Sequence, residues 1–242
     1  MRTATTMRQR TVIRMAEPPA ASLVLLRLCQ LVSPALPIGA YNFSQGLEYA
    51  VHAGWVRDEA SALHWIHGIA AHSVGTLDLP LLLRMHAAWR AHDGAAARRW
   101  SAVLLAARES AQQRAEERHL GRSLAKVLCT QGLDEAAAWT GDIDASHACL
   151  FALAAARWDI GAQDAAQACL WAWCENQVLA AVKLLPLGQS AGLRVLGALL
   201  PHLPGIAAQA GSLQDEDIGV TTPLQGMACA WHETQYTRLF RS

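Results

Sequence analysis

Few residues in this chain have both the type and the spacing to do chemistry. Near the end, His232-Glu233 opens the pattern H-E-x-x-H, which on a helix sets two imidazoles one turn apart on a zinc ion. The fifth position is Tyr236, so the second ligand is missing and the pair reads as recognition or capping residues. His64 and His67 stand at i and i+3, on one face of an expected helix, and could share an ion. A third ligand is not apparent, because His72 points well around the helix, and packing beside Trp65 is the simpler reading. A small all-α metal-binding protein or enzyme using His64 and His67 is the competing one. No Ser, Cys or carboxylate stands beside a His as nucleophile with its base. The phosphate-cradling pattern G-x-x-x-x-G-K-[ST] does not occur, so any nucleotide hydrolysis connected with this protein belongs to a partner.

Charged residues in apolar settings are the next candidates. Lys126 and Lys183 are the only lysines among 20 basic residues. Lys183 lies in "VLAAVKLLPLGQ", with Leu179, Ala180 and Leu187 among its helical neighbours. Such a lysine snorkels outward or finds an acid, and Glu175 and Asn176 are the nearest polar candidates. Arg114, Arg118, Arg122 and Lys126 follow one another at i+4 beside Glu116 and Glu117, as a solvated helix face or a protein-binding ridge. Glu48 follows "VSPALPIGAYNFSQG" at an expected helix start, where a carboxylate interacts well with the helix dipole. It reads as a helix-organising or interface residue.

Helices must position these groups. "ASLVLLRLCQLVS" is apolar nearly all round, the mark of a helix buried on several sides. Asp58 caps "DEASALHWIHGIAAHS", Asp78 with Pro80 opens "LPLLLRMHAAWRAH", and Asp93 caps the next helix. From Ala95 to Cys129 the pattern is one long helix or a kinked pair, with a possible break at Gly121. Further helices run from about Asp144 to Gly161 and from Gln163 to Leu185, and Pro201 and Pro204 punctuate shorter ones. Nothing alternates with period two for long enough to make a sheet. The expected fold is all-α, a single-domain bundle of roughly ten helices. "VSPALPIGAYNFSQG" and the acidic, Gly-bounded "GSLQDEDIGVTTPLQG" are the two special loops.

Bulk properties bound the partners. The formal net charge is +0, so no global attraction to nucleic acid or to an anionic membrane is built in. The six cysteines are scattered without a C-x-x-C pair and read as small core residues of a reducing, cytoplasmic protein. No uncharged apolar stretch reaches the roughly 18 residues of a membrane-spanning helix. The arginine-bearing start, residues 1–20, reads as a disordered leader or a mis-assigned start with Met15 nearby, and residues 21–242 as the folded domain.

Several long blocks resemble one family, in order from about Leu23 to Ser242. They are "SPALPIGAYNFSQGLEYAVHAGWV", "LDLPLL", "AARESAQQRAEERHLG", "AAVKLLPLGQ" and "DIGVTTPLQGMACAWHETQYTRLFRS". Together they resemble the urease accessory proteins of the UreF family. The resemblance implies an all-α homodimer without catalysis or cofactor of its own, a scaffold and regulator in urease maturation. It implies binding to UreD, also called UreH, and recruitment of the GTPase UreG, whose assembly delivers nickel to apo-urease. Carried over by position, His232, Glu233, Thr234, Gln235, Tyr236, Arg238, Leu239, Phe240 and Arg241 are expected at the UreD contact. Pro37, Gly39, Ser44, Gln45, Gly46 and Glu48, with the segment from Lys183 to Gln189, are expected on a UreG-facing control surface. Asn42 and Leu193 depart from the family pattern, which has a small hydroxyl residue and a Gln there. The tail has no Gly cap, and its last residues are expected to be ordered by a partner.

Overall fold

The stretches marked as helical fold as helices, and the described residues, 20–219 and 222–241 of a computed structural model, contain no strand. The expected leader lies outside the described residues except for Ala20, the first residue of α1. In chain order the helices are α1 (Ala20–Leu31), α2 (Leu47–His52), α3 (Glu59–Ile69), α4 (Leu79–Arg90), α5 (Gly94–Ala107) and α6 (Ala111–Thr130). There follow α7 (His147–Arg157), α8 (Ala162–Leu184), α9 (Gln189–Leu199), α10 (Leu203–Ser212) and α11 (Pro223–His232).

The start signals have physical partners. The Asp58 carboxylate accepts the Ser61 N–H at 2.8 Å while the Ser61 hydroxyl accepts the Asp58 N–H, a complete capping box. Asp93 accepts the Ala96 N–H at the head of α5. Ser110 caps α6 through Gln113, and Ser146 caps α7, two residues after the expected start near Asp144. The chain between Ala95 and Cys129 breaks at residues 108–110, not at Gly121. Gly121 lies inside α6, where any Cβ would collide with the Ala145 carbonyl, so its use is close approach to the start of α7.

Asp78 and Pro80 do not open a separate helix. Residues Ala70–Asp78 are π-helical and join α3 to α4 without a break. A proline ring clashes with the carbonyl four residues earlier in an α-helix, and the wider turn relieves that clash. The carbonyl concerned, Thr76 O, accepts the Gly219 N–H at 3.2 Å. Likewise Pro201 and Pro204 tighten the chain into a 3-10 turn between α9 and α10 instead of ending the helical run. The spans 59–90 and 189–212 are consequently long and apolar enough, by length and composition, to cross a membrane, which corrects the expectation that none would be. The first is mostly buried inside the fold and the second less than half buried.

Three apolar clusters hold the helices together. The largest surrounds α7, whose residues from Ala148 to Ala156 are all buried, and takes its other walls from α4, α5 and α6. A second packs α3, the π-helical segment, α8, α9 and α10 around Ile66, Leu170 and Leu199. A small third cluster joins Leu47, Ala50, Val56, Ala180, Ala181 and Leu185 to Phe240 of the tail. Helix α1 overturns its expectation of burial on several sides, since Val24, Leu28 and Leu31 pack on the core along one face while Leu25 and Leu26 are 61% and 63% exposed.

Candidate functional site

Glu48 is the residue on which the tail is built. Gly46 (φ +86°) turns the chain into α2, and the Ser44 hydroxyl accepts the Glu48 N–H at 3.3 Å. The buried Glu48 carboxylate then faces the tail. It accepts the backbone N–H groups of Leu239 at 2.6 Å and Phe240 at 2.9 Å, and its Oε2 pairs with Nε2 of fully buried His232 at 2.9 Å. Charge-assisted bonds of this kind are roughly twice as strong as neutral ones, and a buried carboxylate needs them. The Arg241 N–H adds a bond to Asn42 O at 2.8 Å. Leu239, Phe240 and Arg241 are therefore held by their own chain, where the expectation was that a partner orders the tail. Glu233 takes the capping role: its carboxylate accepts the Gln112 N–H in the first turn of α6 at 2.9 Å.

The Pro/Gly loop is held by equally specific contacts. Gly39 (φ +80°) and Gly46 occupy left-handed backbone, and a Cβ at Gly46 would press within about 3.1 Å of Cys229 N and Sγ. Gln45 is also left-handed, at φ +52°, a strained choice for a residue with a side chain. Its amide anchors it, donating to Glu116 Oε1 at 2.7 Å and accepting the Trp173 indole N–H at 2.6 Å. These contacts lie on the wall of a cavity of about 150 Å³ that also meets Arg108, Glu117 and Glu175.

Lys183 is exposed, as a snorkelling lysine would be, and it does not pair with an acid. Among the described residues no carboxylate lies within ion-pair reach, Asn176 donates to Phe43 O instead, and burial pushes the Glu175 carboxyl up. The ammonium sits between two rings, 5.6 Å from the centre of Phe240 and 5.8 Å from that of Tyr41. One lysine thus touches both the tail and the loop. The candidate residues divide accordingly. Ser44, Gly46, Glu48, His232 and Phe240 are buried and form the clamp, with Gly39, Gln45 and Gln235 half-buried around it. Pro37, Lys183, Gln189, Glu233, Thr234, Tyr236, Arg238, Leu239 and Arg241 are exposed. Tyr236 is fully exposed and Leu239 65% exposed, beside a surface cluster of Tyr49, Trp55 and Trp231 whose ring centres lie 5.3 to 5.9 Å apart. Sequence reasoning missed Tyr41 and that cluster; four aromatics within residues 41–55 were the available signal.

The remaining sequence candidates are structural or lie elsewhere. Arg114, Arg118 and Arg122 donate to the carbonyls of Arg108, Ile143 and Asp142, so the ridge stitches loops instead of standing free. Arg108, unnoticed in the sequence, is half-buried between Asp78 and Glu117. Burial drives both carboxyls up, but Glu117 also has Arg108, His147 and the backbone N–H groups at the start of α7, and its net shift is downward. Asp78 has Glu117 beside it, and there burial prevails and the shift is upward. His64 is exposed and His67 half-buried, and the ring against His67 belongs to His202. Burial, then the rings of His202, His72 and His64, push the His67 pKa down. Among the described residues no group of three or more His, Cys, Asp or Glu could hold a metal ion.

Comparison with known proteins bears on this arrangement. The sequence model of the family described as UreF matches residues 56–200. The urease accessory protein UreF of Alkalilimnicola ehrlichii is 50% identical over 216 residues, covering 89% of this chain and 95% of the relative. That of Azoarcus sp. is 45% identical over 236 residues, 94% of this chain and 100% of the relative, and that of Hahella chejuensis 44% over 220, 91% and 99%.

Proposed function

The chain belongs to the UreF family of urease accessory proteins, and we propose that it is a non-catalytic scaffold that binds UreD (UreH) and recruits and regulates the GTPase UreG while nickel enters apo-urease. In this reading it works in the cytoplasm as a homodimer. Apolar side chains left exposed on α1, on α9 and on the 3-10 turn after it, among them Leu25, Leu26, Leu193 and Leu200, suit self-association.

The observation that carries the reading is the clamped tail. Glu48 and His232 hold Tyr236, Arg238, Leu239 and Arg241 outward on a fixed backbone, next to exposed Trp231. Tyr, Trp and Arg concentrate binding energy at interfaces, and a preorganised presenter loses less entropy on docking. The Lys183 ammonium over Phe240 and Tyr41 joins this surface to the loop carrying Pro37 and Gly39. UreD seated on the tail would therefore shift the residues presented to UreG, which is how a scaffold without a catalytic group can regulate a GTPase.

The test uses surface residues, because deleting residues 232–242 would also remove buried His232 and Phe240. Tyr236→Ala with Leu239→Ala should weaken UreD capture by about 30-fold or more, the ~2 kcal/mol of an interface anchor, with helix content unchanged. Undiminished capture by the double variant sinks the tail assignment. Lys183→Ala should leave the fold intact and alter the GTPase rate or nickel loading in the reconstituted assembly. If both stay unchanged, Lys183 only packs the tail.

A further inference from the structure

Outside the clamp, His67 on α3 meets His202 on the 3-10 turn between α9 and α10. Their ring centres are 4.7 Å apart and the ring planes are inclined at 72°. Neither ring has a hydrogen-bond or ion-pair partner among the described residues. A ligating imidazole nitrogen lies about 2.0–2.1 Å from the metal, which puts the ring centre roughly 3.2 Å from it. Two rings on one ion, at roughly a right angle, then have centres about 4.5–4.7 Å apart, whereas a tetrahedral angle gives about 5.2 Å. The observed spacing lies within the right-angled range, which an edge-to-face packing pair also occupies.

Both histidines sit on rigid supports. His67 lies between Ile66 and Ile69, and His202 between Leu199 and Leu203, four side chains buried in the same apolar cluster. Pro201 and Pro204 further restrict the turn. The surroundings of the pair are open: His202 is exposed, and a Cβ on Gly68, beside His67, would meet nothing within 4 Å. Room is thus left for the water ligands that two imidazoles cannot replace.

We propose that His67 and His202 form a two-imidazole surface site for a divalent ion of right-angled coordination, of the Ni²⁺ or Cu²⁺ class. Imidazole suits these ions, and two ligands on separate elements make a chelate that neither helix offers alone. The site is independent of the scaffold reading and of the clamp.

The test is calorimetric titration of the untagged full-length chain with NiCl₂. One ion per chain is expected, with affinity falling at least tenfold in His202→Ala and in His67→Asn and unchanged in His92→Ala, an exposed histidine elsewhere. Circular dichroism confirms the fold of each variant; His202, being exposed, can be replaced without disturbing the core. Absence of saturable uptake overturns the proposal, and so does uptake that survives His202→Ala, because the rings would then be only an edge-on packing pair.

Discussion

Two backbone N–H groups and one imidazole converge on Glu48, and its charge decides whether the tail stays down. Glu48→Gln keeps the shape but weakens charge-assisted bonds whose net contribution is about 1.5–3 kcal/mol each. The tail should open about 10- to 100-fold more often. Trypsin cleavage after Arg238 should accelerate by a similar factor at unchanged helix content, and an unchanged rate would remove Glu48 from its role as clamp. The cysteines yield a second prediction at this scale. Burial pushes the Cys149 and Cys174 thiols up to about 12, and Cys169 and Cys229 are raised as well. Thiolate is the reactive form, so at neutral pH exposed Cys29 should be alkylated first and Cys149, Cys174 and Cys229 only on unfolding, as peptide mapping would read.

Among the elements, caps and periodicity made most helices legible: Asp58, Asp93 and the run from Gln163 to Leu185 fell where the sequence put them. What was not legible depended on distant residues. Gly121 has the composition of a break, yet the Ala145 carbonyl packed against it makes it a contact point. Pro80 signals a helix start locally, and only the π-helical turn, with Gly219 bonded to Thr76, lets the helix run through it. In α1 the apolar sequence looked like core because nothing in it records which face is covered. The clamp was half legible: Glu48, His232 and Lys183 were singled out, but the bonds joining residue 48 to 232 and 239 span most of the chain and leave no local spacing signal. Arg108, which ties the start of α4 to α6, carries the prediction at this scale. Arg108→Ala removes the cation shared by buried Glu117 and half-buried Asp78, a loss of about 3–5 kcal/mol. At about 2–4 °C per kcal/mol for a domain of this size, Tm should fall by roughly 6–20 °C. A fall of under about 2 °C by calorimetry would contradict the pairing.

At the scale of the whole molecule, three sequence-distant pieces meet at Lys183. The loop brings Tyr41, α8 brings Lys183 and the tail brings Phe240, with Tyr236 and Leu239 projecting beside them. The central claim is that the accessory partner reads these pieces together. Hydrogen exchange of the full chain, alone and with UreD bound, tests it most directly. The account predicts that UreD slows exchange in residues 231–241 and, in the same complex, changes exchange in residues 37–49 and 183–189. Exchange left unchanged in the tail while another face becomes protected would contradict it.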